Sequence, residues 1–311
     1  MKFKLPFDIQ ESDLQLDAHS KIVLIGSCFA DNISRKMEGL ELRTLCNPFG
    51  TVFHPLPIAT QLRASIHEDQ IVNVLFSRDI YFDWFSASTI AALSEEALVN
   101  LITEKRELTR GVLSDADVLI ISFGTAWGYT LQDGIDVVAN CHKQPGTEFK
   151  KQLSEINELY DVWRTLIEDL IAFNPKLKIV FTVSPVRHVK DGLIENNRSK
   201  ARLVEFVHLI REQSAAIYFP AYEILIDELR DYRFYDQDLV HPNNLAVDYI
   251  FKAFIDFAYS EKGKLELAEI QSYISLREHR TIHNFSKEEQ KRQLKLKSLR
   301  EKIQDKYPWM E

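Results

Sequence analysis

Two short stretches carry residues able to do covalent chemistry. Gly26-Ser27-Cys28 sets a hydroxyl beside a thiol directly after an apolar run, and Asp238-Leu239-Val240-His241 sets a carboxylate three residues before an imidazole. A carboxylate that accepts one imidazole N–H fixes the tautomer. The other ring nitrogen is then free to take a proton from a nucleophile. At a helix N-terminus, unpaired backbone N–H groups and the helix dipole favour negative charge. A thiol at Cys28 in that setting is expected to have a lowered pKa, and the same N–H groups can hold an oxyanion. Plainer readings stand beside these: Ser27 as a helix cap, Cys28 as a small packed side chain, and Asp238 as the cap of the next helix. Arg187 can hold a carboxylate or phosphate in bidentate fashion, or simply pair with an acidic residue. Cys46, Cys141 and His142 invite a metal, but close Cys/His pairs of the zinc-binding kind are missing, so no metal is expected.

The elements that must position these groups alternate between strand and helix. KIVLIG (21–26), DVLIISFG (117–124) and LKIVFTVSP (177–185) are nearly continuous apolar runs, as strands buried on both faces require. CFADNISRKM reads as a helix whose Phe29, Ile33 and Met37 share one face. The helix template fits residues 152–171, stopped by Asn174-Pro175. ENNRSKARLVEFVHLIREQ reads as a further helix, AIYFPA as a short strand, and PNNLAVDYIFKAFIDFAYSEKG as a helix ending at Gly263. Such alternation implies an α/β domain with a parallel sheet and right-handed crossovers. Ligands then sit at the carboxyl ends of the strands, where Gly26-Ser27-Cys28, Gly124-Thr125-Ala126-Trp127 and Ser184-Pro185-Val186-Arg187-His188 arrive. Residues 47–90 and 125–150 lack clear periodicity and read as long functional loops. The charged tail from Ser286, with Leu294, Leu296, Leu299 and Ile303, reads as a surface helix. Its apolar stripe would cover the main domain or meet a second copy in a homodimer.

Composition bounds the rest. The 311 residues carry 38 Lys and Arg against 46 Asp and Glu, a net charge of −8, so no overall electrostatic affinity for nucleic acid is expected. Three cysteines, an odd number, argue against a disulfide framework. No signal peptide or membrane span is legible, and a reducing cytoplasm is the expected compartment.

GSCFA (26–30), together with NPFGTVF (47–53), ISFGTAW (121–127), ANCHK (139–143), SPVRH (184–188), ENNRSKA (195–201) and FYDQDLVHP (234–242), resembles the bacterial GSCFA-domain family, grouped with the SGNH/GDSL hydrolases. The resemblance spans about residues 1–260. It implies a three-layer α/β/α, flavodoxin-like SGNH-hydrolase-type domain over 1–262, leaving a helical C-terminal extension over 263–311. It also implies an esterase- or acyltransferase-like site without metal or cofactor. Aligned without a gap, Cys28 takes the nucleophile's place; shifted by one, Ser27 does. Gly50 matches the second block, whose N–H would join that of Cys28 at the oxyanion. Gly124 matches the third block, but Ala126 stands where that block has Asn; Asn47 or Asn140 could replace it from a loop. Asp238 and His241 meet the fifth block in full.

Two expectations follow. The first is an enzyme that hydrolyses or transfers an acyl group through a covalent intermediate on Cys28 or Ser27. His241 would be base then acid, Asp238 its orienter, and Asn47, Thr125, Trp127, Asn140, His142, Arg187 and His188 would line a pocket for a small acyl or carbohydrate-linked substrate. The second is a catalytically inactive protein that binds a carbohydrate; Tyr81, Phe82, Trp84 and Phe85 would suit sugar stacking, with core packing as the plainer reading.

Overall fold

A computed structural model describes residues 7–132, 134, 136–279 and 287–310. β1 (Ile22–Gly26) leads into α1 (Cys28–Glu38), β2 (Thr44–Cys46) and α2 (Pro55–Ile66). A small antiparallel sheet follows, β3 (Val74–Ser77), β4 (Ile80–Asp83) and β5 (Ala91–Ala92), then α3 (Glu95–Leu113) and β6 (Val118–Phe123). A second small antiparallel sheet comprises β7 (Trp127–Leu131), β8 (Val137–Val138) and β9 (Phe149–Leu153). The chain continues through α4 (Ile156–Phe173), β10 (Lys178–Val183), α5 (Leu193–Gln213), β11 (Ile217–Tyr218) and the short α6 (Ala221–Glu223). It closes with α7 (Asn244–Ala258), α8 (Glu261–Glu278) and α9 (Lys287–Lys306).

The main sheet has strand order β11-β10-β6-β1-β2, and every pair is parallel. Counted along the sheet's own strands this is the flavodoxin-like order, with its switch point between β1 and β6. Alternation along the strands divides the core into two layers. Ile22, Leu24, Val118, Ile120 and Val180 face α1, α7, α8 and the end of α9. Val23, Ile25, Leu119, Ile121, Phe181 and Val183 face α2, α4 and α5. The result is the expected three-layer α/β/α arrangement.

Gly26 is dictated by this geometry. It sits at φ +138°, and a Cβ there would lie 2.1 Å from Ser122 O. Gly26→Ala should therefore cost about 3 kcal/mol or more, as backbone strain and overpacking add. A fall in the unfolding midpoint checks it.

Three sequence expectations are corrected. The helix read over 152–171 begins later: Phe149–Leu153 is a strand paired antiparallel with Trp127–Leu131, and the helix starts at Ile156. Leu153 satisfied the helical spacing by coincidence. The helix read to Gly263 is two helices. The chain breaks at Tyr259, where Leu16 pairs beside it, and Ser260 caps α8 by accepting from Gly263 N–H. Gly263 lies inside α8 because the backbone of Leu16 crosses it; a Cβ would approach Leu16 O to 2.3 Å. Finally, the stretches 47–90 and 125–150 hold α2 and the two small sheets rather than long loops.

The tail helix α9 lays Leu296, Leu299 and buried Ile303 on the main core, while Leu294 is exposed. The proposed boundary at 262/263 falls inside α8. No helix among the described residues is long and apolar enough to cross a membrane.

Candidate active site

The strand ends beside the switch point carry the chemistry. Ser27 caps α1: its Oγ accepts from Phe29 N–H at 3.2 Å and shares a hydrogen bond with Ser122 Oγ at 2.9 Å. With 2% of its surface exposed, Ser27 is occupied in holding β1, β6 and α1 together. Cys28, the next residue, is half-buried and opens the helix.

The expected lowering of the Cys28 pKa is not what the structure shows. Burial raises it, and the Asp31 carboxylate one turn on raises it further. Its own backbone N–H and Arg35 pull the other way but do not win. Desolvation of a thiolate outweighs the modest field of a helix end. Cys28 is therefore a thiol at neutral pH and needs a base to react.

That base has its orienter in place. Asp238 Oδ2 lies 2.7 Å from His241 Nδ1, and Asp238 Oδ1 accepts from the backbone N–H groups of Val240 and His241. Hydrogen bonds from His241's backbone, from its ring and from Val240 hold the Asp238 carboxyl down at about 2. The bonded Nδ1 leaves Nε2 for proton transfer. The loop is closed by Asp236 N–H to His241 O and stands immediately before α7, which packs on α1. Both residues are partly exposed at the rim of the sheet's carboxyl end.

Arg187 was expected either to grip an anion or to pair with an acidic residue. Instead it fixes this loop: its N–H donates to Val240 O, its guanidinium donates to Leu239 O, and the guanidinium lies over the rings of Tyr235 and Tyr232. Its charge is thus spent on carbonyl and π partners.

Asn47 is likewise committed. It accepts from Gly26 N–H at 2.7 Å and donates to Asp31 at 2.6 Å. Thr51 donates to the other oxygen of Asp31. Residue type alone does not single out Asp31, although its place one turn after Cys28 is legible in the sequence. It is the hub that docks the 47–51 loop on α1. The Gly50 N–H expected at the oxyanion donates to Asn47 O and closes that turn, with Gly50 at φ +72°. The Gly124 N–H donates to Phe53 O. Neither is free for an oxyanion, because each stabilises the loop that carries it. Of the expected backbone donors, Cys28 N–H remains.

A cleft of about 270 Å³ lies between β7, β8 and the loops that follow β6 and β10, beside and not around Cys28, Asp238 and His241, which do not line it. Thr125, Trp127, Asn140 and His188 line it, with Phe53, Tyr129 and Lys190. Thr125 Oγ1 bonds Ser199 Oγ and Trp127 Nε1 donates to Glu195 O, so both belong to a rigid wall. Asn140 accepts from His142 N–H.

His142 does not line the cleft. It is buried, with Nδ1 on Ser88 Oγ and Nε2 on Asp83 O, and its ring stacks on Phe82. It clamps the 139–143 turn to the β3–β5 sheet, a structural role that burial of an imidazole between aromatic rings favours. The aromatic residues proposed for sugar stacking are packing residues too. Trp84 meets His142 and Phe149, Tyr81 meets Phe76, and Phe85 is buried.

Lys200 and Asn196, both within ENNRSKA (195–201), take roles that residue type alone does not show. Buried Lys200 donates to Gly124 O and Ser184 O, both at 2.7 Å, and ties together the ends of β6 and β10. Burial pushes its pKa down to about 7. Asn196 Oδ1 accepts from His188 N–H. Burial pushes the Cys46 thiol up to about 12. No His/Cys/Asp/Glu cluster suited to a metal occurs among the described residues.

Fold and site thus define an α/β protein of flavodoxin-like order with a thiol and an Asp–His pair at the carboxyl end of its sheet. The GSCFA family matches over residues 21–254, and the chain belongs to that family. No curated protein matches it. Among solved structures it is similar to a protein of Parabacteroides merdae ATCC 43184 named as a GDSL-like lipase. The TM-score is 0.43 at 11% identity, over 79% of this chain and 99% of that one. It is also similar to a carbohydrate esterase family 3 protein of Talaromyces cellulolyticus, with a TM-score of 0.34 at 8% identity, over 81% of this chain and 99% of that one.

Proposed function

We propose that the chain is an SGNH-type hydrolase or acyltransferase that forms a thioester on Cys28. The observation that carries this reading is the 2.7 Å Asp238–His241 pair, set before α7 at the end of the sheet where Cys28 opens α1. His241 takes the thiol proton as Cys28 Sγ bonds to the acyl carbon, and returns it to the departing alcohol or amine. Asp238 holds the imidazole tautomer and stabilises the imidazolium. Water or a second alcohol or amine then attacks the thioester. The aromatic cleft of Phe53, Trp127 and Tyr129, with Asn140 and Lys190 at its wall, suits a carbohydrate-linked acceptor or donor.

Ser27 is the weaker nucleophile in this reading, because its hydroxyl is buried and doubly engaged. The test is intact-protein mass spectrometry after brief exposure to p-nitrophenyl acetate. A single acetyl adduct should form in wild type and in Ser27→Ala and should be lost in Cys28→Ala. Loss in Ser27→Ala with retention in Cys28→Ala would restore the serine version. No adduct in any variant, with tight carbohydrate binding, would favour the inactive binding protein instead.

A further inference from the structure

In the site as read above, the carbonyl oxygen gains charge when sulfur adds, and Cys28 N–H is one donor to it. The side chain that the third block would supply is absent. Ala126 occupies that place, fully buried, with its N–H on Ser199 Oγ. Its methyl side chain offers no hydrogen-bond donor.

Three histidines near the strand ends are held neutral by burial. His54 and His188 are each pushed down to about 4, and His142 is lowered as well. Two of them have both ring nitrogens engaged. His54 Nδ1 accepts from Leu56 N–H and its Nε2 meets Ala126 O and Ser154 Oγ. His142 bonds Ser88 and Asp83.

His188 differs. Its backbone N–H is fixed by Asn196 Oδ1, and its ring packs against Phe53 at 4.9 Å between centroids. Among the described residues no protein group hydrogen-bonds either ring nitrogen. Its Nε2 hangs over the third-block glycine: a Cβ on Gly124 would come within 2.8 Å of it. β6, which ends at Phe123 just before Gly124, lies between β1 and β10 in the sheet, and His188 lines the cleft that Thr125 also borders. His241 lies close enough to act on this ring electrostatically.

We propose that His188 replaces the missing third-block Asn and donates Nε2–H to the oxyanion formed on the acyl carbonyl. The inference rests on the acyl-transfer reading above. In the step itself, the Cys28 S–C bond forms, the carbonyl π pair moves onto oxygen, and His241 holds the thiol proton. On collapse the C=O bond reforms, the bond to the leaving group breaks, and His241 protonates that group. His188 keeps its proton throughout. A neutral imidazole suits this task, because it offers a fixed donor without ionising.

Two reactions of Cys28 separate this role from a structural one. Acylation by p-nitrophenyl acetate passes through an oxyanion, whereas alkylation by iodoacetamide displaces iodide at a saturated carbon and forms none. Single-turnover rates of both, followed at Cys28 by peptide mass in the full chain, should be compared for wild type, His188→Ala and His188→Gln. Acylation should fall by about 100–1000-fold in His188→Ala, with alkylation unchanged. His188→Gln, which keeps an N–H near the Nε2 position, should recover at least part of the loss. If the Ala variant unfolds, His188→Leu refills the volume without a donor and takes its place. Unchanged acylation, or a parallel fall in both reactions, would overturn the proposal. A wild-type protein that is alkylated but never acylated would overturn the acyl-transfer reading, and this inference with it.

Discussion

The His241→Ala variant should acylate Cys28 about 100–10,000-fold more slowly than wild type near neutral pH. The reason lies in the thiol. Burial and Asp31 hold the Cys28 pKa above its ordinary value, so little thiolate exists at pH 7 without a base. In wild type, His241 removes the proton as sulfur attacks. In the variant only preformed thiolate reacts, and its fraction climbs about tenfold per pH unit until the raised pKa is reached. The variant's rate should therefore rise steeply through pH 9 while the gap to wild type narrows. Stopped-flow acylation with p-nitrophenyl acetate from pH 6 to 10 checks this. Parallel profiles at every pH would remove His241 from the role of base. Asp238→Asn should fall in the same direction, because an amide in place of the carboxylate no longer enforces the tautomer that Nδ1–H requires.

Lys200→Met should give the largest loss of stability among the site's supporting residues. The substitution keeps the length of the chain but removes both donors. Gly124 O and Ser184 O are then left buried, and each such carbonyl costs about 1–3 kcal/mol, so about 2–6 kcal/mol in all. The effect also depends on pH. In the folded chain Lys200 gives up its proton near pH 7, whereas an unfolded lysine keeps it to 10.5. Between these values the unfolded state binds more protons, so stability rises with pH. The contribution is fully present above 10.5 and is lost as pH falls through 7. The neutral amine still has two N–H groups for its two carbonyls. The difference in unfolding midpoint between wild type and Lys200→Met should therefore widen from pH 7 to pH 10. A constant difference would mean that the folded lysine stays charged across the range.

Much of the frame was legible because one-dimensional patterns decide it. Three nearly continuous apolar runs bounded by turn residues read as strands covered on both faces, and the glycine that ends the first is forced by the backbone of Ser122. The Asp238–His241 pair was legible for a similar reason. Three residues of a tight turn bring the two side chains together wherever the turn is placed.

The misreadings have a common cause. Short strands such as Phe149–Leu153 draw their stability from a partner, here Trp127–Leu131, and periodicity within one segment cannot see it. The break between α7 and α8 is likewise set by Leu16, more than two hundred residues away in the chain. Residue type also failed to separate His142 from His188. Both lie within a motif and both carry an imidazole, but one has its nitrogens filled by Ser88 and Asp83 and the other, among the described residues, does not.

By itself, then, the sequence determined the three long buried strands with helices after them, the nucleophile-bearing turn and the Asp–His pair, since local spacing and backbone sterics act within a few residues. Only the tertiary structure decided which groups are left free to react. It engaged Ser27, Gly50, Gly124, Asn47 and Arg187 in holding loops together. It raised the Cys28 pKa by burial, and among the described residues it left the ring nitrogens of His188 without a protein partner. Hydrogen bonding and desolvation depend on neighbours that chain order does not specify, and that is why these outcomes could be read only from the folded chain.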